Sequence, residues 1–146
     1  MPVIVDPKGT NWMKYAGADY ITPNLKEINA VLPDPIRNED QPVETAARSV
    51  MKKYQLGSLI VTRSEAGLSL ICEGEIKHIP TKAQEVFDVS GAGDTVIAVF
   101  AMGIAGGIAP VDSAYLANLA AGVVVAKLGT YAVSREELLK ALEKEK

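Results

Sequence analysis

The chain has 146 residues, 48% of them hydrophobic, and a formal charge of −3 at pH 7. That size and balance fit one compact domain, and mild acidity without a Lys/Arg stripe argues against a nucleic-acid partner. The single Cys72 excludes an internal disulfide, and "MPVIVDPKG" has neither a basic segment nor a signal-peptide core, so a reducing, cytoplasmic setting is expected.

In chain order, "PVIV" (Pro2 to Val5) and "DYIT" (Asp19 to Thr22) read as short buried strands, each followed by turn residues. Between them "NWMKYAG" predicts a helical turn, with Trp12 and Tyr15 covering a core edge. "NLKEINAVL" predicts a helix with Asn24 as N-cap and Pro33 as its stop. A second helix is expected to start near Pro42 and to stop at Gly57.

"SLIVT" (Ser58 to Thr62) predicts a β-branched buried strand, and "GLSLIC" with "EIKHIP" a hairpin turning at Glu73-Gly74. Strands alternating with helices imply a largely parallel α/β sheet with an antiparallel appendage. The C-terminal third reads as three helices: one from Asp94 to about Ile104, one capped by Asp112 and running to Gly129, and one opened by the capping box Ser134-Arg135-Glu136-Glu137. The first two are apolar almost all round, as in helices packed on more than one side. Thr95 to Val111 carries no charge, but Gly103, Gly106, Gly107 and Pro110 interrupt it, which fits a buried helix better than a membrane span. His78 and Cys72 have no partner at ligand or triad spacing, so no chemistry is assigned to them.

The stretch "DVSGAGDT" (Asp88 to Thr95) places a Gly-Ala-Gly turn before a helix. Such a turn directs successive N–H groups into one concavity, and the helix adds its positive end, so the loop suits a phosphate or a centre gaining negative charge. Asp94 beside it would repel a resting phosphate but could take the proton of a hydroxyl attacking that phosphate. A dinucleotide-binding loop fits poorly, since Val96 stands where a third Gly or Ala is wanted. These residues by themselves equally fit a tight turn with Asp94 stabilising a helix start.

"DVSGAGDT" resembles the second signature of the ribokinase-like, or PfkB, carbohydrate kinases, with Val89 where that family commonly has Thr. "VDPKG", "TPNLKE", "VTRSEAG" and "ANLAAGVVVAKLGT" resemble further family segments in the same order. Within the family, "PTKAQEVFDVSGAGDT" and "VVVAKLGT" look closest to the heptose 7-phosphate kinase branch. The resemblance implies the C-terminal half of a ribokinase-like three-layer α/β sandwich: a mostly parallel sheet, helices on both faces and a small antiparallel hairpin. Residues 1–146 would then be one partial domain.

The resemblance implies ATP-dependent transfer of phosphoryl to a sugar hydroxyl. Asp94 would be the general base, and the N–H groups of Gly91, Ala92 and Gly93 the anion hole. Asn24 and Glu27 would organise Mg²⁺ through water, although Asn-x-x-Glu is also what a capped helix needs. Thr62, Gly67, Asn118 and Lys8 would bind the nucleotide, and Asp88 and Ser90 a monovalent cation such as K⁺.

Family kinases are about twice this length, and the resemblance leaves their sugar-binding half without a counterpart here. Half a doubly wound sheet would expose a strand edge, which predicts a homodimer or pairing with an N-terminal kinase half. The alternative is a nucleotide-binding or interaction module without turnover.

Overall fold

The computed structural model describes residues 1–82 and 85–146. Ala83 and Gln84, part of the segment carrying the heptose-kinase resemblance, lie outside the described residues. The chain divides into two compact units, Met1–Ile79 and Pro80–Lys146.

The first unit is built on five strands whose spatial order equals their chain order: β1 (Ile4–Val5), β2 (Tyr20–Ile21), β3 (Ser58–Thr62), β4 (Leu68–Cys72) and β5 (Glu75–Ile79). The first three run parallel, with Val5 beside Ile21 and Ile21 beside Leu59. β4 and β5 form the expected hairpin, and β4 also pairs antiparallel with β3, so the sheet is mixed. β1 and β2 are shorter than the sequence predicts. Their association is extended by Asp19 N–H donating to Val3 O at 3.0 Å and Thr22 N–H to Val5 O at 2.9 Å.

Helix α1 (Leu25–Val31) follows β2, and α2 (Asp40–Tyr54) precedes β3. Ile28 of α1 and Val43, Ala47 and Val50 of α2 close on Trp12, Ile21, Leu59, Val61 and Ile71 to form the core. Ile60 and Leu70, which alternate to the opposite face, are fully buried as well. Burial on both faces is why the centre of β3, Leu59 to Val61, reads as an unbroken apolar run instead of an alternating one.

Two helix ends differ from expectation. α2 starts at Asp40, with Pro42 inside its first turn, and ends at Gln55 in the left-handed region (φ 54°) instead of at Gly57. Gly57 serves a different need: a Cβ there would lie 2.5 Å from Asp19 O, a backbone atom, so the chain entering β3 can pass β2 this closely only without a side chain.

The second unit contains α3 (Ala92–Ala105), α4 (Pro110–Val125) and α5 (Arg135–Lys144). Val96, Val99 and Phe100 of α3 and Ala114, Ala117, Ala120 and Val124 of α4 are buried. α3 is not enclosed all round, because Met102 is 66% exposed. α4 is capped at Ala109 with Pro110 at its start; Asp112 sits inside the first turn and is not the cap. Ser134 and Glu137 form the predicted capping box of α5. Among the described residues no helix is long and apolar enough to cross a membrane.

Candidate functional site

Because β1, β2 and β3 are parallel and in register, their C-terminal ends emerge along one edge of the sheet, where open α/β sheets place ligands. This edge gathers Asp6 and Lys8 after β1, Asn24 and Glu27 after β2, and Thr62 at the end of β3 with Arg63 to Gly67 after it. Asn24 and Thr62 are direct neighbours through a parallel bridge, and Thr62 N–H donates to Pro23 O at 2.9 Å.

Asn24 and Glu27 complete a reciprocal capping box. Glu27 N–H donates to Asn24 Oδ1 at 2.7 Å, and Asn24 N–H donates to Glu27 Oε2 at 2.8 Å. The other carboxylate oxygen, Oε1, lies 3.6 Å from Lys8 Nζ, which also meets Asp6 Oδ2 at 2.9 Å. Lys8 therefore stands between two carboxylates. Its pKa is raised by the hydrogen bond and charge of Asp6 first and by Glu27 after them.

Two aromatic residues hold the backbone that carries Lys8. Lys8 N–H donates to the Tyr15 hydroxyl at 3.0 Å, and the Trp12 indole N–H to Gly9 O at 3.0 Å. Sequence reading placed both at a core edge and missed this positioning, as it missed Asp6. Asp6 had a local signal, a carboxylate two residues from the Lys at a strand exit.

In the second unit the segment Asp88 to Asp94 forms its own compact arrangement. Gly91 is the N-cap of α3 with φ 78°, a left-handed conformation costly for any residue with a Cβ. No side chain caps the helix, so its first-turn N–H groups lack the usual side-chain acceptor. Of the three backbone donors expected to bind an anion, Ala92 N–H is turned to Val89 O at 3.3 Å. Asp94 is exposed in the first turn, and Thr95 donates through its hydroxyl to Gly91 O at 3.0 Å.

Asp88 braces this loop: its Oδ1 accepts from Ser90 N–H at 2.8 Å and its Oδ2 from Gly129 N–H at 3.2 Å. The Ser90 hydroxyl first, then the Ser90 and Gly129 N–H groups, hold the Asp88 carboxyl below the usual carboxylate range. Asn118 is buried in α4 and donates through Nδ2 to Pro80 O at 2.9 Å.

The chain thus carries two arrangements: a sheet edge with a Lys, oxygen donors and a tight loop, and an uncapped helix start with a carboxylate in its first turn. The chain belongs to the pfkB family of carbohydrate kinases, whose pattern matches residues 1–137.

Among individual proteins, it is 51% identical over 146 residues to the bifunctional protein HldE of Trichlorobacter lovleyi, matching 99% of this chain and 30% of that protein. HldE of Geobacter sulfurreducens is 49% identical over 143 residues, 97% of this chain and 29% of that protein. The chain therefore spans about 30% of the length of these curated relatives. A ribokinase from Thermotoga maritima superimposes with a TM-score of 0.86 at 30% identity, over 97% of this chain and 49% of its own. Phosphofructokinase-2 from Escherichia coli, solved with potassium, shares the fold with a TM-score of 0.87 at 16% identity, over 98% of this chain and 47% of its own. The fold is ribokinase-like α/β.

Proposed function

We propose that residues 1–146 form one partial domain, the nucleotide-binding and base-bearing part of an ATP-dependent sugar kinase acting on a heptose 7-phosphate. The observation that carries this reading is the uncapped start of α3, with Gly91 left-handed and Asp94 in the first turn. Identity of about 50% to HldE proteins supports the choice of branch.

In the proposed reaction the sugar hydroxyl oxygen attacks the γ-phosphorus of ATP and the bond to the β–γ bridging oxygen breaks, releasing ADP. Asp94 accepts the hydroxyl proton. Transfer comes late, when bond formation has made the hydroxyl acidic, because an exposed carboxylate is a weak base toward an alcohol. The N–H groups of Gly91 and Gly93, joined by that of Ala92 once it leaves Val89 O, meet the charge on the transferred group.

Lys8 reaches the phosphate tail, Thr62 and Gly67 line the nucleotide, and Asn118 lies near the adenine. The oxygen donors Asn24 and Glu27 fit hydrated Mg²⁺, which would supply charge neutralisation at the phosphates. Asp88 and Ser90 would bind a monovalent cation behind the loop, where the Asp88 carboxylate is engaged by N–H donors. The partner we propose is a second copy of this chain or an N-terminal kinase half, with most of the acceptor-sugar site on the N-terminal half.

The test is turnover on adding an N-terminal kinase half. Asp94→Asn should lower phosphoryl transfer by roughly 10²- to 10⁴-fold while Mg·ATP still binds. Intact turnover in that variant would remove Asp94 as base. Nucleotide binding with no turnover under any pairing would support a non-catalytic module instead.

A further inference from the structure

A polar cluster surrounds Arg63, the residue immediately after β3. Its side chain is 2% exposed. Nε donates to Asn38 Oδ1 at 2.9 Å, and Nη1 donates to Asp40 Oδ1 at 2.7 Å and to Ser69 Oγ at 2.9 Å. Behind Ser69, which is itself fully buried, stands His78, whose Nδ1 is 2.7 Å from Ser69 Oγ and 3.3 Å from Arg63 Nη1. His78 Nε2 is 2.7 Å from Glu44 Oε1.

The hydrogen-bond roles in this cluster follow from chemistry. A guanidinium only donates and a carboxylate only accepts, so Ser69 Oγ accepts from Arg63 and the ring nitrogen facing Glu44, Nε2, carries a hydrogen. The result is one connected chain of contacts, from Arg63 through Ser69 and His78 to Glu44. It ties the strand exit to α2 and to both strands of the hairpin.

The same Asn38 that receives the guanidinium also donates to Arg63 O at 3.0 Å. Arg63 O additionally accepts from Ala66 N–H at 3.1 Å, and Arg63 N–H donates to Gly67 O at 2.8 Å. The loop so held contains Ser64 at φ 52°, a left-handed conformation that a non-glycine residue keeps only where its surroundings impose it. A buried ion pair is weak evidence for stability, since desolvation offsets most of the attraction. Asp40, moreover, is 63% exposed. What the cluster determines is the shape of the backbone from Thr62 to Gly67.

We propose that Arg63 is a positioning residue for the nucleotide: clamped by Asp40, Asn38 and Ser69, it fixes the Thr62–Gly67 loop in its binding shape. This rests on the reading of that loop as nucleotide-contacting. Arg63 itself touches no ligand; it acts through the loop.

The test is calorimetric titration of the whole chain with Mg·ATP, with Asp40→Asn chosen because an exposed position tolerates the change. Affinity should fall roughly three- to tenfold as the ion pair to Arg63 becomes a bond to a neutral acceptor, and Asp40→Glu should restore most of it. Combined with Thr62→Ala, the loss should be smaller than the product of the two single losses, because both act through one loop. Amide exchange at Ala66 and Gly67 should quicken in Asp40→Asn while the core amides keep their rates. Wild-type binding with unchanged affinity in Asp40→Asn, a purely multiplicative double variant, or unchanged exchange at Ala66 and Gly67 would each overturn the positioning role. Absence of binding by the wild-type chain would instead strike the nucleotide reading, and the inference would fall with it.

Discussion

Replacing Gly93 by Asp separates folding from ligand binding, because the two should move in opposite directions. Gly93 is the second residue of α3, has no positive φ, and a Cβ built on it meets nothing within 4 Å. A side chain therefore fits without strain, and a carboxylate in the first turn interacts favourably with the helix dipole by about 0.3–1 kcal/mol. Folding stability should hold or rise slightly. An anion bound at the same helix start would face the new charge at about 6 Å. With an effective dielectric constant of about 40 that repulsion is about 1.4 kcal/mol, a tenfold loss of affinity per interacting charge pair. Calorimetric titration of wild type, Gly93→Ala and Gly93→Asp with Mg·ATP, alongside thermal melts, reads both quantities. Gly93→Ala serves as the steric control and should bind within about threefold of wild type. Full affinity in a well-folded Gly93→Asp chain would refute the anion-hole assignment.

Glu27→Gln keeps an oxygen to accept from Asn24 N–H, so Tm should stay within about 2 °C of wild type. The Mg²⁺ dependence of ATP binding should weaken; if it is unchanged, Glu27 is a cap alone. Glu137 accepts from Ser134 N–H at 3.0 Å and from the Tyr131 hydroxyl at 2.8 Å, with Lys127 at 3.5 Å. Those bonds, Ser134's first, lower its pKa from 4.5 to about 2. A depressed carboxylate contributes stability that is complete above the unfolded value and is lost as pH falls from there toward the folded one. Side-chain carbonyl NMR should place the Glu137 midpoint near 2, and a midpoint at 4 or above would contradict the geometry.

Local signals were the ones legible in the sequence. The capping boxes at Asn24 and Ser134 and the run Ser58 to Thr62 needed only neighbouring residues to be recognised, and each appears where expected. The start of α4 was misplaced because two capping rules competed: Asp112 has the side chain of a cap, but Pro110, with φ already set and no N–H to satisfy, begins the helix. Gly57 looked like a helix stop, when the residue it makes room for, Asp19, is far away in the chain. His78 had no visible partner for the same reason. Ser69, Arg63 and Glu44 lie 9, 15 and 34 residues from it, and only the pairing of β4 with β5 and the packing of α2 bring them together.

The reciprocal bonds between Asn24 and Glu27 bear on the thermodynamics of any cation that meets this helix start. A free glutamate surrenders rotamer freedom when it is immobilised by a ligand, on the order of 0.5–1.5 kcal/mol. Glu27 has already lost that freedom, because Asn24 N–H fixes Oε2 while Oε1 remains directed toward Lys8. The ordering cost falls on folding and not on association. An ion arriving here would find its carboxylate already aimed, and exchange of Lys8 for the ion would leave the helix cap undisturbed.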